Sequence, residues 1–502
     1  MQQNNNNGPK RPVLVKKNNS SASSRDRRHP QQTVGQRQQV QQTSRQAMEM
    51  ANARGPSLQE RAEQHRRQMQ EEETGARQHN ARKPKAAPSH TKSDKTKKNK
   101  PKKQVKAPGF TDKLFVRAQA GIGAPDHFIM EVVAVLLAIG LIMVFSASSY
   151  RSILEYGNAF HYFFSQLGAA VLGIVVAIFI MLVSPEIFRK LAPPFMGLVL
   201  LLLIFTLFAG EESLGATRWV TIAGVRFQPS ELAKPLMVIC TANLLKNGPY
   251  EMIMNRDRMF ERNNIIVFIM IIASFCIIAV EDLGSAVAIF GGCFAVFIVA
   301  GLSKRWILGV FAAGLGVVAI YIAIEPYRIQ RLFGFINQTD ADAAGGSAYQ
   351  LVQSLYAFGS GGLFGVGLGN SGQKLLYLPG MHTDFIYAVI GEEFGLVGAL
   401  LVLGLFMAFA WRGFWISTRI EDPFKSYLAF GLTAIITVQA LINMAVAVGV
   451  FPVTGITLPL ISYGGTSLVI TLAMIGLLLN MSRYADKTKR KRQPRTKTKT
   501  EE

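Results

Sequence analysis

Ten apolar stretches constrain this 502-residue chain more than any other feature of its sequence. They run over 127–148, 163–183, 193–209, 230–246, 264–280, 284–301, 305–324, 385–410, 427–449 and 464–481. Each approaches the roughly 20 apolar residues that a helix needs to cross the hydrocarbon core. Lipid leaves no water to satisfy backbone amides, so such runs predict helices, and the chain reads as an all-α polytopic membrane protein. Glu281-Asp282-Leu283-Gly284 and Ser303-Lys304-Arg305 are the breaks that turn long apolar runs into separate spans. The formal net charge of +22 divides into +17 over 1–110, −1 over 111–480 and +6 over 481–502. That distribution excludes a soluble enzyme with a basic groove and a uniformly basic nucleic-acid binder. Cys240, Cys276 and Cys293 lie in apolar runs, with neither disulfide nor zinc spacing.

Three regions follow: a basic cytoplasmic tail over 1–124, a ten-span membrane domain over 125–482, and a second basic tail over 483–502. The first tail is rich in Gln, Asn, Arg, Lys and Pro and poor in aromatics, a composition that predicts disorder. It has no apolar core of the signal-peptide kind, so cleavage after it is not expected. Its basic run before the first span either holds the N-terminus in the cytoplasm or binds anionic lipid headgroups. No stacking aromatics are interleaved with it, and a nucleic-acid partner is not expected. With the N-terminus inside, the four short internal loops carry eleven basic residues, and the longer opposite loops carry six. Both termini are therefore predicted to be cytoplasmic.

The connections on the outer side are unusual. Residues 325–384 form a long loop between spans seven and eight. Within it, 349–358 carries apolar residues at helical spacing, which predicts an amphipathic or re-entrant helix. Gly359 to Gly372 follows, a stretch whose glycines either bring backbone amides to a ligand or only make turns. The loop 210–230 holds Arg218, Trp219 and Ser230, and Glu231 and Lys234 open the span that follows. Ser230 is placed to cap a helix, and Glu231 and Lys234 are spaced to pair on one helix face. The segment Phe451–Gly465 has two prolines and must be buried by protein or line a wet cavity. Ionisable groups gather on this side: Arg218, Glu231, Lys234, Asp282, His382, Asp384, Glu392 and Glu393. They point either to a polar cavity open outward or to satisfied inter-helix pairs.

The run from His382 to Gly395, HTDFIYAVIGEEFG, resembles the signature of the SEDS family, the FtsW, RodA and SpoVE polytopic glycosyltransferases of bacterial cell-wall synthesis. Gly215–Lys234 and Phe451–Leu468 are similar to two further signatures, Asp282–Ser285 to a fourth element, and Tyr349–Ser371 to a fifth. The resemblance covers about 125–482. Thr457-Leu458-Pro459-Leu460 resembles the division branch more than the elongation branch. Gly380 and Glu281 depart from the family pattern, which often has an acidic residue and a proline there.

The resemblance implies polymerisation of lipid II into β-1,4-linked glycan strands at the outer face of the cytoplasmic membrane, during septal synthesis in cell division. Attack by a sugar hydroxyl calls for a base, and Asp384 is the candidate; its alternative is a helix N-cap. Arg218 and Lys234 are candidates to meet the leaving pyrophosphate, and Trp219 and His382 to position sugar or pyrophosphate. Glu392, Ser462, Tyr463 and Gly464 contact substrate or shape its cavity. A divalent cation, Mg or Mn, is expected, with no dedicated ligand set visible. The implied partners are a class B penicillin-binding transpeptidase and other division proteins. The competing readings are an elongation- or sporulation-type paralogue, a lipid II flippase, and a non-enzymatic scaffold.

Overall fold

A computed structural model describes residues 123–209, 211–213, 216–222, 225–247, 262–324 and 346–485. Residues 1–122 and 486–502 of the basic tails, the chemistry expected of them, and the first part of the long connection lie outside these residues.

A helix occupies each of the ten apolar stretches. In chain order, α1 is His127–Tyr156, α2 His161–Leu182, α3 Pro185–Ala209, α4 Pro229–Leu245 and α5 Arg262–Glu281. They are followed by α6 Leu283–Val299, α7 Lys304–Ile324 and α8 Ser347–Gly361. The last three are α9 Ile386–Ser417, α10 Pro423–Ala447 and α11 Gly465–Ser482. Among the described residues, seven helices are long and apolar enough to cross a membrane, and α6 is a shorter apolar helix. At 1.5 Å per residue, α6 covers about 26 Å, a little short of a hydrocarbon core. The extra helix, α8, is the amphipathic segment predicted inside the long connection. It buries Leu351 and Ala357 and ties itself to the end of α10 by a bond from Ser354 Oγ to the Ala447 carbonyl, 2.6 Å.

The 210–230 connection departs from the expected loop. It folds as a three-stranded antiparallel sheet of β1 Glu211–Ser213, β2 Ala216–Ile222 and β3 Val225–Phe227. The sequence carries the cause, since Thr217, Trp219, Val220, Thr221, Ile222, Val225 and Phe227 are β-branched or aromatic.

The start of α1 and the end of α11 meet on one face of the bundle. The Gly123 amide donates to the Arg483 carbonyl at 2.9 Å, and the Asp126 amide to Ser482 Oγ at 3.0 Å. The Asp126 carboxylate also caps α1 and takes a 2.7 Å ion pair from Arg412 near the end of α9. Both ends of the membrane region therefore share a side, as an even number of crossings requires. The starts of α2, α4, α6 and α9 lie at the other side, which is called the Asp384 face below.

The first two turns of α9 are separated from the rest by a break at Gly395, where φ is +66° and ψ −163°. The break frees backbone carbonyls, and the glycine-rich segment after α8 takes them up. The Val366 and Gly367 amides donate to the Glu392 and Glu393 carbonyls at 2.9 and 3.0 Å. In return, the Leu396 amide donates to the Gly362 carbonyl at 2.9 Å. A Cβ on Gly361 would lie 2.1 Å from the Gly391 carbonyl oxygen, so no side chain fits at that crossing. Gly361 and Gly365 thus take a role outside the two expected of that stretch, packing backbone on backbone against α9.

Candidate active site

A cavity of about 530 Å³ opens on the Asp384 face. Its walls come from β2, the starts of α2, α4, α6 and α11, the turn before α9, and the non-helical segment after α10. Asp384, Trp219, Lys234, Tyr463 and Gly464 all line it, together with Glu231, Asp282 and Gln439. Seven residues singled out from distant parts of the sequence thus border one space.

Asp384 is half-buried in the turn that leads into α9. Gly380 makes that turn possible with φ +74°, a conformation costly for residues with a Cβ. Its carbonyl accepts from the amides of Thr383 and Phe385 at 3.1 and 3.0 Å. The cap position of α9 is Phe385, whose side chain makes no capping bond, and Asp384 stands one residue before it.

Lys234 is 1% exposed. Its ammonium donates to Glu231 Oε1 at 2.7 Å and to Gln439 Oε1 at 3.0 Å. The pair expected from the three-residue spacing on α4 is formed. Two of the ammonium's three donors are engaged, and its charge is balanced locally, so an anion at Lys234 meets a neutralised cation. Glu231 Oε2 is buried without a hydrogen-bond partner. The expected cap Ser230 lies inside the first turn of α4 instead. Gln228 is the cap residue, Pro229 opens the helix, and Ser230 Oγ is buried without a partner. Asp282 caps α6 by accepting from the Ser285 amide at 3.2 Å and from Ser285 Oγ at 2.7 Å.

His382 lies behind the cavity wall rather than in it. It is buried against Tyr162 and Tyr463, with ring centroids 5.2 and 5.7 Å away, and its Nδ1 has no partner. Burial, then the positive charge of Arg151, holds its pKa down to about 4, so the imidazole is neutral near pH 7. Ser462 is a structural bolt. Its Oγ donates to the Thr383 carbonyl at 2.6 Å and accepts from the Leu458 amide at 2.8 Å. Glu392 does not reach the cavity. Its carboxylate accepts from the Gly372 amide at 2.9 Å, from Ser371 Oγ, and from the Gln373 amide at 3.4 Å, which folds the segment after α8 against α9. Arg218 belongs to β2 by its backbone, and its side chain lies outside the described residues.

Residues 448–464 are non-helical, yet much of the segment is buried. Buried backbone carbonyls need partners, and three amide side chains from the spans supply them. Gln439 Nε2 donates to the Thr457 carbonyl at 3.0 Å. Asn443 Nδ2 donates to the carbonyls of Ile456 and Asp384, both at 2.7 Å. Gln166 Nε2 donates to the Ser462 carbonyl at 3.0 Å, and its Oε1 accepts from the Gly464 amide at 3.1 Å. The sequence reading missed all three. The available signal was an amide inside an apolar span, which is costly unless partnered.

Oxygen donors dominate the cavity, which suits a hard divalent cation. Among the described residues, however, no group of three His, Cys, Asp or Glu is arranged to hold a metal. The fit is to a cation held by one or two carboxylates and completed by a ligand's own oxygens.

The fold and site define a polytopic membrane protein with a polar, carboxylate-bearing cavity at one end of its helix bundle. The FtsW/RodA/SpoVE family model, described as "cell cycle protein", matches residues 126–487, and the chain belongs to that family. Stage V sporulation protein E of Bacillus subtilis is 36% identical over 365 residues, covering 72% of this chain and 98% of that protein. The probable peptidoglycan glycosyltransferase FtsW of Coxiella burnetii is 37% identical over 366 residues, covering 71% and 96%. Among solved structures, a chain of a peptidoglycan synthase complex that coordinates polymerization and crosslinking superposes with TM-score 0.59 at 29% identity, covering 72% and 98%. The rod shape determining protein RodA of Thermus thermophilus superposes with TM-score 0.53 at 28% identity, covering 72% and 97%.

Proposed function

We propose that this protein is a peptidoglycan glycosyltransferase that polymerises lipid II at the outer face of the cytoplasmic membrane, in septal synthesis during cell division. The observation that carries the reading is Asp384, one residue before the cap of α9, on the wall of a cavity shared with Trp219, Lys234 and Tyr463. Relatives named peptidoglycan glycosyltransferase FtsW, matched over nearly their full length, support the reaction class.

The chemistry follows from the bond to be made. An α-linked donor and a β-1,4 product require inversion, so the acceptor's 4-hydroxyl attacks C1 in line with the departing group. Asp384 accepts the hydroxyl proton as the new C1–O4 bond forms and the C1–O bond to the lipid pyrophosphate breaks. General-base help of this kind contributes roughly 10²–10⁴-fold. Trp219 and Tyr463 offer aromatic walls to the sugars. Arg218 is the better candidate for the pyrophosphate, because the charge of Lys234 is balanced by Glu231. Glu231 and Asp282, the other carboxylates on the cavity wall, are the residues that would share a Mg or Mn ion with the substrate's phosphates. Such an ion would neutralise charge on the leaving group.

This reading places both termini in the cytoplasm, with the Asp384 face outward, in keeping with the basic residues near Arg412. A class B penicillin-binding transpeptidase is the proposed partner; the similar chain in a peptidoglycan synthase complex supports it. The test is glycan polymerisation from purified lipid II by the full chain, with that partner and a divalent cation. Polymer that is lost on chelation supports the reading. Transbilayer movement of lipid II without polymer would replace it with the flippase.

A further inference from the structure

We propose that Asn443 is a positioning residue for the reaction, acting through the backbone of Asp384. The inference rests on the polymerase reading above.

Asn443 lies near the end of α10 and is 1% exposed. Both N–H groups of its amide are engaged at 2.7 Å, one by the carbonyl of Asp384 and one by that of Ile456. The orientation of the amide is fixed by its surroundings. A flipped amide would set its oxygen against two carbonyl oxygens, so the nitrogen must face them. The cost of this arrangement is visible, because Oδ1 is buried without a partner. An amide held with one end unsatisfied implies that the other end is worth holding.

What it holds is the candidate base. Asp384 stands in a turn, one residue before the cap of α9. Asn443 bolts that carbonyl to α10 and, through Ile456, to the segment that forms the opposite wall of the cavity. The same two walls are also joined by Ser462 Oγ on the Thr383 carbonyl and by the Tyr463 amide on the His382 carbonyl at 2.8 Å. Those bonds grip the turn on the N-terminal side of Asp384; Asn443 alone among these bonds grips Asp384 itself. Loss of the amide lets the base drift relative to the wall that carries Tyr463.

The structure supplies a matched control. Asn480 near the end of α11 is also fully buried and donates from Nδ2 to two carbonyls, Ile180 at 3.0 Å and Val183 at 2.6 Å. Its Oδ1 is likewise unpartnered. It makes the same clamp at the other end of the bundle, against the end of α2, far from the cavity.

The experiment measures kcat and KM for polymerisation of lipid II by the full chain with its partner, scaled to the fraction that binds lipid II. Asn443→Leu should lower kcat by about 10²-fold with KM changed less than about threefold, since a misplacement near 1 Å costs that much. Asn443→Ser keeps one donor and should fall between. Asn480→Leu should keep kcat within about threefold. A kcat for Asn443→Leu matching that of Asn480→Leu would overturn the inference and leave the polymerase reading standing. If Asn443→Leu fails to fold, Asn443→Ser decides: a kcat equal to that of the intact chain refutes the role. No polymer from the intact chain would refute the polymerase reading and this inference together.

Discussion

Replacing Lys234 by Met isolates the energetics of the cavity wall. The substitution keeps the length of the side chain and removes its charge. Glu231 then stays in a site where it is 5% exposed, with Oε2 already unpartnered and Oε1 deprived of the 2.7 Å bond from Lys234. Gln439 loses its 3.0 Å bond from the same ammonium. Breaking one side of a buried ion pair costs about 3–5 kcal/mol, because the remaining charge keeps its desolvation penalty. The pair borders a cavity that admits water, which places the expectation at the lower end, about 3 kcal/mol. The double variant Glu231→Leu, Lys234→Met removes both charges and should recover most of the loss. Unfolding by SDS titration in mixed micelles reads the free energies directly. A single variant within about 1 kcal/mol of the intact chain would refute the assignment of this pair as buried and mutually dependent.

Three further outcomes follow from the same geometry. Gly361→Ala brings a Cβ within 2.1 Å of the Gly391 carbonyl, so it should destabilise the α8–α9 crossing by at least about 2 kcal/mol in the same titration. Glu392→Gln keeps its size but loses charge-assisted acceptance from the Ser371 hydroxyl and the Gly372 and Gln373 amides, and limited proteolysis after α8 should quicken. His382 has a folded pKa of about 4, below its unfolded value of about 6.5, so the folded chain binds fewer protons. Stability is unaffected above about pH 6.5 and declines as pH falls from there to 4, by about 3 kcal/mol in all. His382→Phe should flatten that slope in thermal unfolding between pH 7.5 and 5. An unchanged slope would show that His382 is not the group responsible.

The helices were legible because each apolar run is its own signal: a stretch of that length in a membrane protein has one backbone solution. The Glu231–Lys234 pair was legible because helical spacing fixes it locally. What escaped depends on contacts distant in sequence. The break at Gly395 is hidden within an apolar run, and its compensation comes from amides at 366 and 367. Glu392 read as a cavity group because it shares a signature with Asp384; two helical turns and the donors at 371–373 take it elsewhere. Gln166, Gln439 and Asn443 are single amides in greasy spans, and what they hold lies in segments that sequence alone does not bring near. The sheet over 211–227 was missed for a simpler reason: three short strands offer few residues of alternation to read.

The most direct measurement compares the intact chain with Asp384→Asn, which keeps shape and removes basicity, in polymerisation of lipid II with partner and cation. Lipid II binding is measured alongside. The account predicts unchanged binding and a loss of kcat of at least about 10²-fold. Polymerisation at the intact rate by Asp384→Asn would contradict the account and remove Asp384 as the base.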